Sequence, residues 1–299
     1  MAELDIVILS YNVSKLLKQC LESVLASPES DKWQIIVVDN ASQDDSVEMV
    51  RREFPQVNLI TSEQNLGFSA GNNLAVPYLK SEFVLFLNPD TVVKPKAIET
   101  VRQYLKSHPQ VGAATARVWL GNSGKIDEGC HRGFPTPWNA VCYFSGLSKW
   151  LGKYRLFGGY QLSFQDLDTA HPIDSLTGAF MMVRRDVAEQ LNWWDEDYFW
   201  NGEDVDFCYR IKQAGYQIMY LPEAEIIHFK GSSAGYKPDS FGRQQASKEI
   251  KQSAAKASTQ AMKIFYRKHY QKKYPSWLTG LVLAGIWLLE RYRLWRAKQ

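Results

Sequence analysis

Four short, strongly apolar runs in the first ninety residues constrain the fold most: Ile6 to Leu9, Gln34 to Val38, Val57 to Ile60 and Phe83 to Leu87. Phe83 to Leu87 is too continuous to be a half-solvated strand, so it predicts a strand of a parallel sheet covered on both faces, and the other three runs read as further strands, Ile6 to Leu9 a buried one. Between them lie helical patterns. Val13 to Ala26 puts Leu16, Leu17, Cys20, Leu21, Val24 and Leu25 on one face, and Asp39-Asn40-Ala41-Ser42 opens a helix running through Arg52. Asn65 to Asn73 reads as a turn feeding a third helix. Strands alternating with helices predict an α/β chain with a doubly wound, mostly parallel sheet and right-handed crossovers.

In such sheets ligands bind just beyond the carboxyl ends of the strands. Two carboxylates fall there: Asp39 after the second run, and Asp90 in Asn88-Pro89-Asp90 after the fourth, where Pro89 stops the ladder. The same tripeptide is also good turn chemistry. Neither a Gly-x-Gly-x-x-Gly nor a Gly-x-x-x-x-Gly-Lys-Ser/Thr loop occurs, which argues against dinucleotide and P-loop sites.

Beyond a helix from Lys96 to Ser107 and a strand from Gly112 to Trp119, Gly121 to Pro172 is irregular and aromatic-rich. It reads as long loops with short strands forming a binding surface. Regularity returns with a strand at Gly178 to Val183, helices at Asp186 to Leu191 and up to Ala214, and strands at Tyr216 to Tyr220 and Ala224 to His228. A polar loop, Lys230-Gly231-Ser232-Ser233, and a basic helix from Arg243 to Tyr270 follow. Trp193 to Phe207 sets six carboxylates among large aromatics, with Glu203 and Asp204 at a helix start. There the helix dipole favours negative charge, while a neighbouring carboxylate or an apolar wall raises a pKa toward that of a general base. Simple helix capping is the plainer reading. His228 ends an apolar strand and would complete an oxygen/nitrogen site with Asp90, suited to Mg²⁺ or Mn²⁺ rather than zinc.

The chain's 299 residues, 45% of them apolar, suffice for one large domain with an appendage. A net charge of +3 conceals an asymmetry: from Arg243 onward there are 13 Lys/Arg against 2 Asp/Glu. The aromatic and aliphatic residues mixed into this basic tail point away from nucleic acid. Trp277 to Leu289 is uncharged but too short to span a bilayer. With Trp277, Trp287 and Trp295 and the flanking Lys272, Lys273, Arg291, Arg293 and Arg296, it fits a helix lying on an anionic membrane. An apolar helix docked on the core, or on a second subunit in a homodimer, is the alternative. Four scattered cysteines suit a reducing compartment, and the acidic start lacks the basic region of a secretory signal.

Ser10-Tyr11-Asn12, Val38 to Asp44, Asn65 to Asn73, Asn88-Pro89-Asp90, Thr177 to Phe180 and Phe199 to Arg210 together resemble the ordered motifs of family 2 glycosyltransferases, in particular the rhamnosyltransferase-like branch. The resemblance covers about residues 4 to 230. It implies a GT-A fold, with a Rossmann-like sheet carrying helices on both faces. Residues 1–240 would form the transferase domain (1–118 nucleotide-sugar-binding, 119–240 acceptor and catalytic), and 241–299 a helical, membrane-associating extension. Ser10, Tyr11, Asn12 and Asp39 would line the base and ribose pocket, with Asn65, Gly67 and Asn72 closing on the donor beside Asn88. Asp90 and His228 would hold the divalent metal; the family's frequent Asp-x-Asp is Asn88-Pro89-Asp90 here, one charge fewer. Asp204 would be the base, supported by Glu203 and Asp206, while Trp193 and Trp194 would either stack on the acceptor sugar, with Asp206 beside them, or pack in the core. The implied activity is inverting transfer of a sugar, rhamnose from dTDP-rhamnose or another from a UDP-sugar, to a lipid-linked or polymeric saccharide in cell-surface glycan synthesis. The implied location is peripheral, on the cytoplasmic face of the plasma membrane. The competing readings are an inactive nucleotide-sugar or glycan-binding module and a nucleotidyltransferase.

Overall fold

A computed structural model describes residues 2–121, 123–229 and 248–298. The loop Lys230-Gly231-Ser232-Ser233 and the start of the basic helix at Arg243 lie outside the described residues. The strands are β1 (Leu4–Ser10), β2 (Trp33–Asp39), β3 (Asn58–Thr61), β4 (Phe83–Leu87), β5 (Thr91–Val93), β6 (Val111–Leu120), β7 (His171–Ile173), β8 (Phe180–Arg184) and β9 (Gln217–His228). The helices are α1 (Ser14–Leu25), α2 (Ser46–Glu53), α3 (Gly67–Asn73), α4 (Ala97–Ser107), α5 (Pro137–Phe144), α6 (Leu147–Leu151), α7 (Arg155–Gly158), α8 (Arg185–Gln190), α9 (Glu203–Gln213), α10 (Lys248–His269) and α11 (Ser276–Lys298).

One sheet carries the molecule, in the order β3-β2-β1-β4-β8-β6-β9-β5, with β7 added to β9. The four strands expected from the apolar runs pair in parallel, β3 to β2 to β1 to β4. β4 is buried at every position, as a strand covered on both faces must be. One covering layer includes α1, which buries Leu16, Leu17, Cys20, Leu21 and Val24. Beyond β4 the direction changes: β8 runs antiparallel to both β4 and β6, while β6 and β9 are again parallel.

Two expectations need correcting. The last strands are one, β9, because a register shift between Ala116 and Arg117 of β6 lets the Pro222 segment bulge out and the ladder resume at Glu225. Proline cannot donate to a ladder, so the strand continues past it only through such a bulge. The irregular 121–172 segment contains the helices α5, α6 and α7, and among its described residues the one strand is the start of β7 at its end. Thr136 caps α5, its hydroxyl accepting from the Asn139 N–H at 3.1 Å, and Pro137 follows at the first helical position.

The C-terminal helices pack against α9 and the turn before it. Tyr198, Val205 and Tyr209 form a second buried cluster with Ala261, Phe265, Tyr266 and Tyr270 of and after α10. α11 folds back along α10, tied by Lys263 to Glu290 at 2.7 Å and by the Arg293 guanidinium donating to the Ser258 hydroxyl at 2.8 Å. No helix among the described residues is long and apolar enough to cross a membrane.

Candidate active site

The carboxyl ends of β1, β2 and β4 carry the residues singled out above. Asp39 closes β2 and is buried; one of its oxygens accepts from the Ser42 N–H at 2.9 Å, while the other, also buried, has no hydrogen-bond partner among the described residues. The loops after β1 and β2 are stitched together. Asn12 N–H donates to the Ser42 hydroxyl at 2.9 Å, and the Asn12 side-chain oxygen accepts from Gln43 N–H at 2.7 Å. Ser10 is buried against this seam, and Tyr11 is exposed.

The 65–73 loop is held from both sides. Asn40 amide hydrogens donate to Asn65 Oδ1 at 3.0 Å and the Gly67 carbonyl at 3.1 Å, and Asn40 Oδ1 accepts from Leu66 N–H at 2.8 Å. Phe68 N–H donates to the Phe199 carbonyl at 2.7 Å, which joins this loop to the acidic segment. That approach requires glycine at position 67: its φ is +80°, and a Cβ there would lie 2.4 Å from the Phe199 oxygen. Asn72 is buried and donates to the Phe68 carbonyl of its own helix at 2.9 Å. Its neighbour Asn73 reaches across, donating to the Trp194 carbonyl at 3.0 Å and to Glu196 at 2.8 Å.

Asp90 and His228 meet, and the sheet register explains why. β5 starts immediately after Asp90 and pairs antiparallel with the end of β9, Thr91 opposite His228, while Phe229 N–H donates to the Asp90 carbonyl at 2.9 Å. His228 Nε2 therefore lies 3.2 Å from Asp90 Oδ1, with both side chains buried. Behind the ring, Asp127 Oδ2 stands 3.8 Å from Nδ1. Burial alone would push the imidazole pKa down; the two carboxylates outweigh it and push it up to about 9. A carboxylate and an imidazole in contact, with a second carboxylate behind the imidazole, are donor types that could hold a cation, which would have to displace the proton the ring otherwise keeps at neutral pH. Among the described residues no group of three or more such side chains encloses an ion by itself, so any cation here takes its remaining ligands from elsewhere. Asn88 N–H is spent on the Ala179 carbonyl at 3.1 Å, and its carbonyl accepts from the Thr91 hydroxyl at 2.7 Å.

Glu203 and Asp204 start α9, behind Gly202 at φ +89°. Asp204 Oδ2 accepts from Arg132 at 2.8 Å and Oδ1 from Val205 N–H at 2.7 Å. Glu203 is buried, with one oxygen lacking a hydrogen-bond partner among the described residues. Burial first, and the Asp204 charge second, push its carboxyl up to about 8 from an ordinary 4.5. Glu203 therefore keeps its proton at neutral pH, next to Asp204, which Arg132 holds at 2.8 Å. Because the folded value is raised, the stability contributed by the Glu203 proton is complete below about 4.5 and is lost as pH rises to about 8. We expect Glu203→Gln, neutral at every pH, to lack this loss and to melt higher than the wild type at alkaline pH. Parallel curves of melting temperature against pH for the two proteins would contradict the assignment.

Three acceptor assignments are corrected by burial. Trp194 is 1% exposed and Trp193 8%. Trp194 stacks edge-on against Phe68, Phe86 and Phe207, so its faces are occupied by the core rather than offered to a sugar. Trp194→Ala should cost ~3–5 kcal/mol in urea denaturation; a cost near zero would restore the exposed-platform reading. Asp206 is fully buried, 2.6 Å from both Arg210 Nε and His269 Nε2. Burial would raise its pKa, but hydrogen bonds from His269 and Arg210 outweigh it and hold the carboxyl below its usual range. Arg210 in turn donates to the Leu191 carbonyl at 2.8 Å and the Trp193 carbonyl at 2.9 Å. This unit holds Trp193 at φ +58°, a conformation costing ~1–3 kcal/mol for a bulky residue. Asp206 is thus an anchor for the strained turn that sets the acidic loop.

Sequence reasoning missed Asp127, Arg132 and His269. The first two lie in the segment without periodicity, and His269 lies in a tail read for its charge and its membrane fit, not for contacts with the acidic cluster.

A family model described as glycosyltransferase like family 2 matches residues 2–250. Rhamnosyltransferase WbbL of Escherichia coli K12 is 26% identical over 234 residues, covering 75% of this chain and 82% of that one. An N-acetylglucosaminyl-diphospho-decaprenol L-rhamnosyltransferase of Mycobacterium tuberculosis is 25% identical over 252 residues, covering 79% of each. Among solved structures, the mannosyltransferase PcManGT of Pyrobaculum calidifontis, in complex with GDP-Man and Mn²⁺, superposes with a TM-score of 0.59 over 99% of this chain and 73% of its own, at 17% identity. GalNAc-T7 with UDP, GalNAc and Mn²⁺ gives 0.58 over 75% of this chain and 42% of its own, at 16% identity. These structures share the GT-A fold with this chain. With the family model running through the sheet, the Asp90–His228 contact and the Glu203-Asp204 helix start, the chain belongs to glycosyltransferase family 2.

Proposed function

We propose that this glycosyltransferase inverts the anomeric centre as it transfers rhamnose, from dTDP-rhamnose, to a lipid-linked saccharide, with another UDP-linked sugar as the alternative donor. The observation that carries the proposal is the Thr91–His228 register, which brings Asp90 and His228 together at 3.2 Å on the sheet edge where Asp39 also ends its strand. The names of the two relatives support the sugar, and the decaprenol-linked name supports the lipid-linked acceptor.

Asp90 and His228 are the residues that would hold Mg²⁺ or Mn²⁺, which when bound neutralises charge on a leaving nucleoside diphosphate. The remaining roles belong to the chain's own groups. The buried, unpartnered Asp39 oxygen offers an acceptor to a base or ribose N–H or O–H. Asn40 fixes the 65–73 loop against which the donor closes. Asp204, oriented by Arg132, takes the proton of the attacking acceptor hydroxyl, beside a Glu203 whose own carboxyl is pushed up to about 8. The enzyme works peripherally on the cytoplasmic face of the plasma membrane, where α11 meets an anionic leaflet.

Thermal shift with a panel of nucleotide-sugars plus Mn²⁺ or Mg²⁺ tests the donor. A ligand at 100 times its Kd stabilises by ~2.7 kcal/mol, a shift of several degrees, and dTDP-rhamnose is expected to give it. If no member of the panel moves the melting temperature, the nucleotide-sugar reading fails.

A further inference from the structure

Large apolar side chains are exposed on this molecule in two places. Of the seventeen such residues among the described ones, eight lie between Trp138 and Leu156 and six on α11. Trp150 is 88% exposed, and Val141, Phe144, Tyr154 and Leu156 are each more than half exposed. On α11, Trp277, Leu281, Leu288, Tyr292 and Trp295 recur at spacings of three, four and seven, so they share one face, opposite the face that packs on α10. The two surfaces meet at a groove of about 700 Å³, where Tyr292 stands with Tyr143 and Phe144 of α5. A monomer rarely leaves a contiguous apolar patch of this kind uncovered.

The charge around the patch points to the occupant. Residues 137–158 contain Lys149, Lys153 and Arg155 and no acid. On α11 the sole acid, Glu290, is engaged by Lys263, while Arg293 and Arg296 line the groove and make no ion pair among the described residues. Tryptophan and tyrosine beside lysine and arginine are the composition of a surface seated at the headgroup level of an anionic bilayer.

We propose that α5–α7 and the outer face of α11 form one docking surface for an anionic lipid leaflet, with Arg293 and Arg296 in the groove between them contacting lipid phosphate. The inference rests on the reading of α11 as membrane-facing and adds a second, independent leg. It also orients the site. Arg132, the partner of Asp204, lies five residues before α5, and Phe134 packs on Tyr209 of α9 at 5.0 Å, so the docked segment is tethered to the catalytic helix. A saccharide whose lipid remains in the leaflet would be presented toward Asp204.

The test is flotation of the full-length protein with phosphatidylglycerol-containing vesicles and with pure phosphatidylcholine vesicles. Two variants replace exposed residues only: Val141→Ser/Trp150→Ser/Leu156→Ser and Trp277→Ser/Leu281→Ser/Leu288→Ser, each checked for an unchanged melting temperature. Both should lower partition into the anionic vesicles by about tenfold or more, and Arg293→Gln/Arg296→Gln should remove the preference for phosphatidylglycerol. If only the α11 variant loses binding, the α5–α7 leg is wrong and the α11 reading stands. If the wild type does not float, both are wrong. A wild type that is dimeric by light scattering and becomes monomeric in the α5–α7 variant would assign the patch to a second copy and overturn the proposal. An unchanged lipid preference in the arginine variant would overturn the groove assignment.

Discussion

Asp204→Asn should lower kcat by about 10²–10⁴-fold while leaving nucleoside diphosphate affinity within about threefold of wild type. Two carboxylates side by side at the start of α9 cannot both ionise cheaply, and burial pushes the Glu203 carboxyl up to about 8. Asp204 beside it is oriented by Arg132 at 2.8 Å. Asparagine keeps the shape and an oxygen for Arg132 but cannot take a proton, so an interaction made only during transfer is lost and the donor pocket is untouched. Steady-state kinetics beside calorimetric titration of the nucleoside diphosphate separate the two quantities. An Asp204→Asn protein that still turns over at the wild-type rate removes Asp204 from the role of base.

Asp90→Ala should act on the other half of the reaction. With Asp90 gone, His228 retains only Asp127, 3.8 Å from its far nitrogen, and one donor is too few to anchor a divalent ion. Nucleoside diphosphate affinity measured with Mn²⁺ should fall by about 10–100-fold, to the level the wild type shows in chelator. Affinity that is the same in wild type and variant, and indifferent to chelator in both, would take the cation away from Asp90. The absence of a carboxylate at position 88 makes the site unusually dependent on this one residue, since Asn88 spends its backbone on Ala179 and Thr91.

Much of this was legible in the sequence because strands covered on both faces leave a plain trace. β1, β2 and β4 appear as apolar runs, and the positions of Asp39 and Asp90 at one sheet edge follow from them. The Asp90–His228 pairing was readable only as a choice of chemistry; its cause is the three-residue strand β5, too short to carry a pattern. Pro222 made one bulged strand look like two. Trp193 and Trp194 were misread because an aromatic beside carboxylates has the same composition whether it lines a cleft or fills a core; only the surrounding Phe68, Phe86 and Phe207 decide. Arg132 and Asp127 left no signal, since a lone charge in an aperiodic segment says nothing about its partner. His269 shows the same limit at longer range, reaching Asp206 from 63 positions away.

The central claim is a single direct displacement, with one carboxylate acting as base at the start of α9. Proton NMR of the transfer product, read at the anomeric centre and compared with the donor, tests it most directly. The account predicts a product of the opposite anomeric configuration; a product that retains the donor's configuration would contradict it.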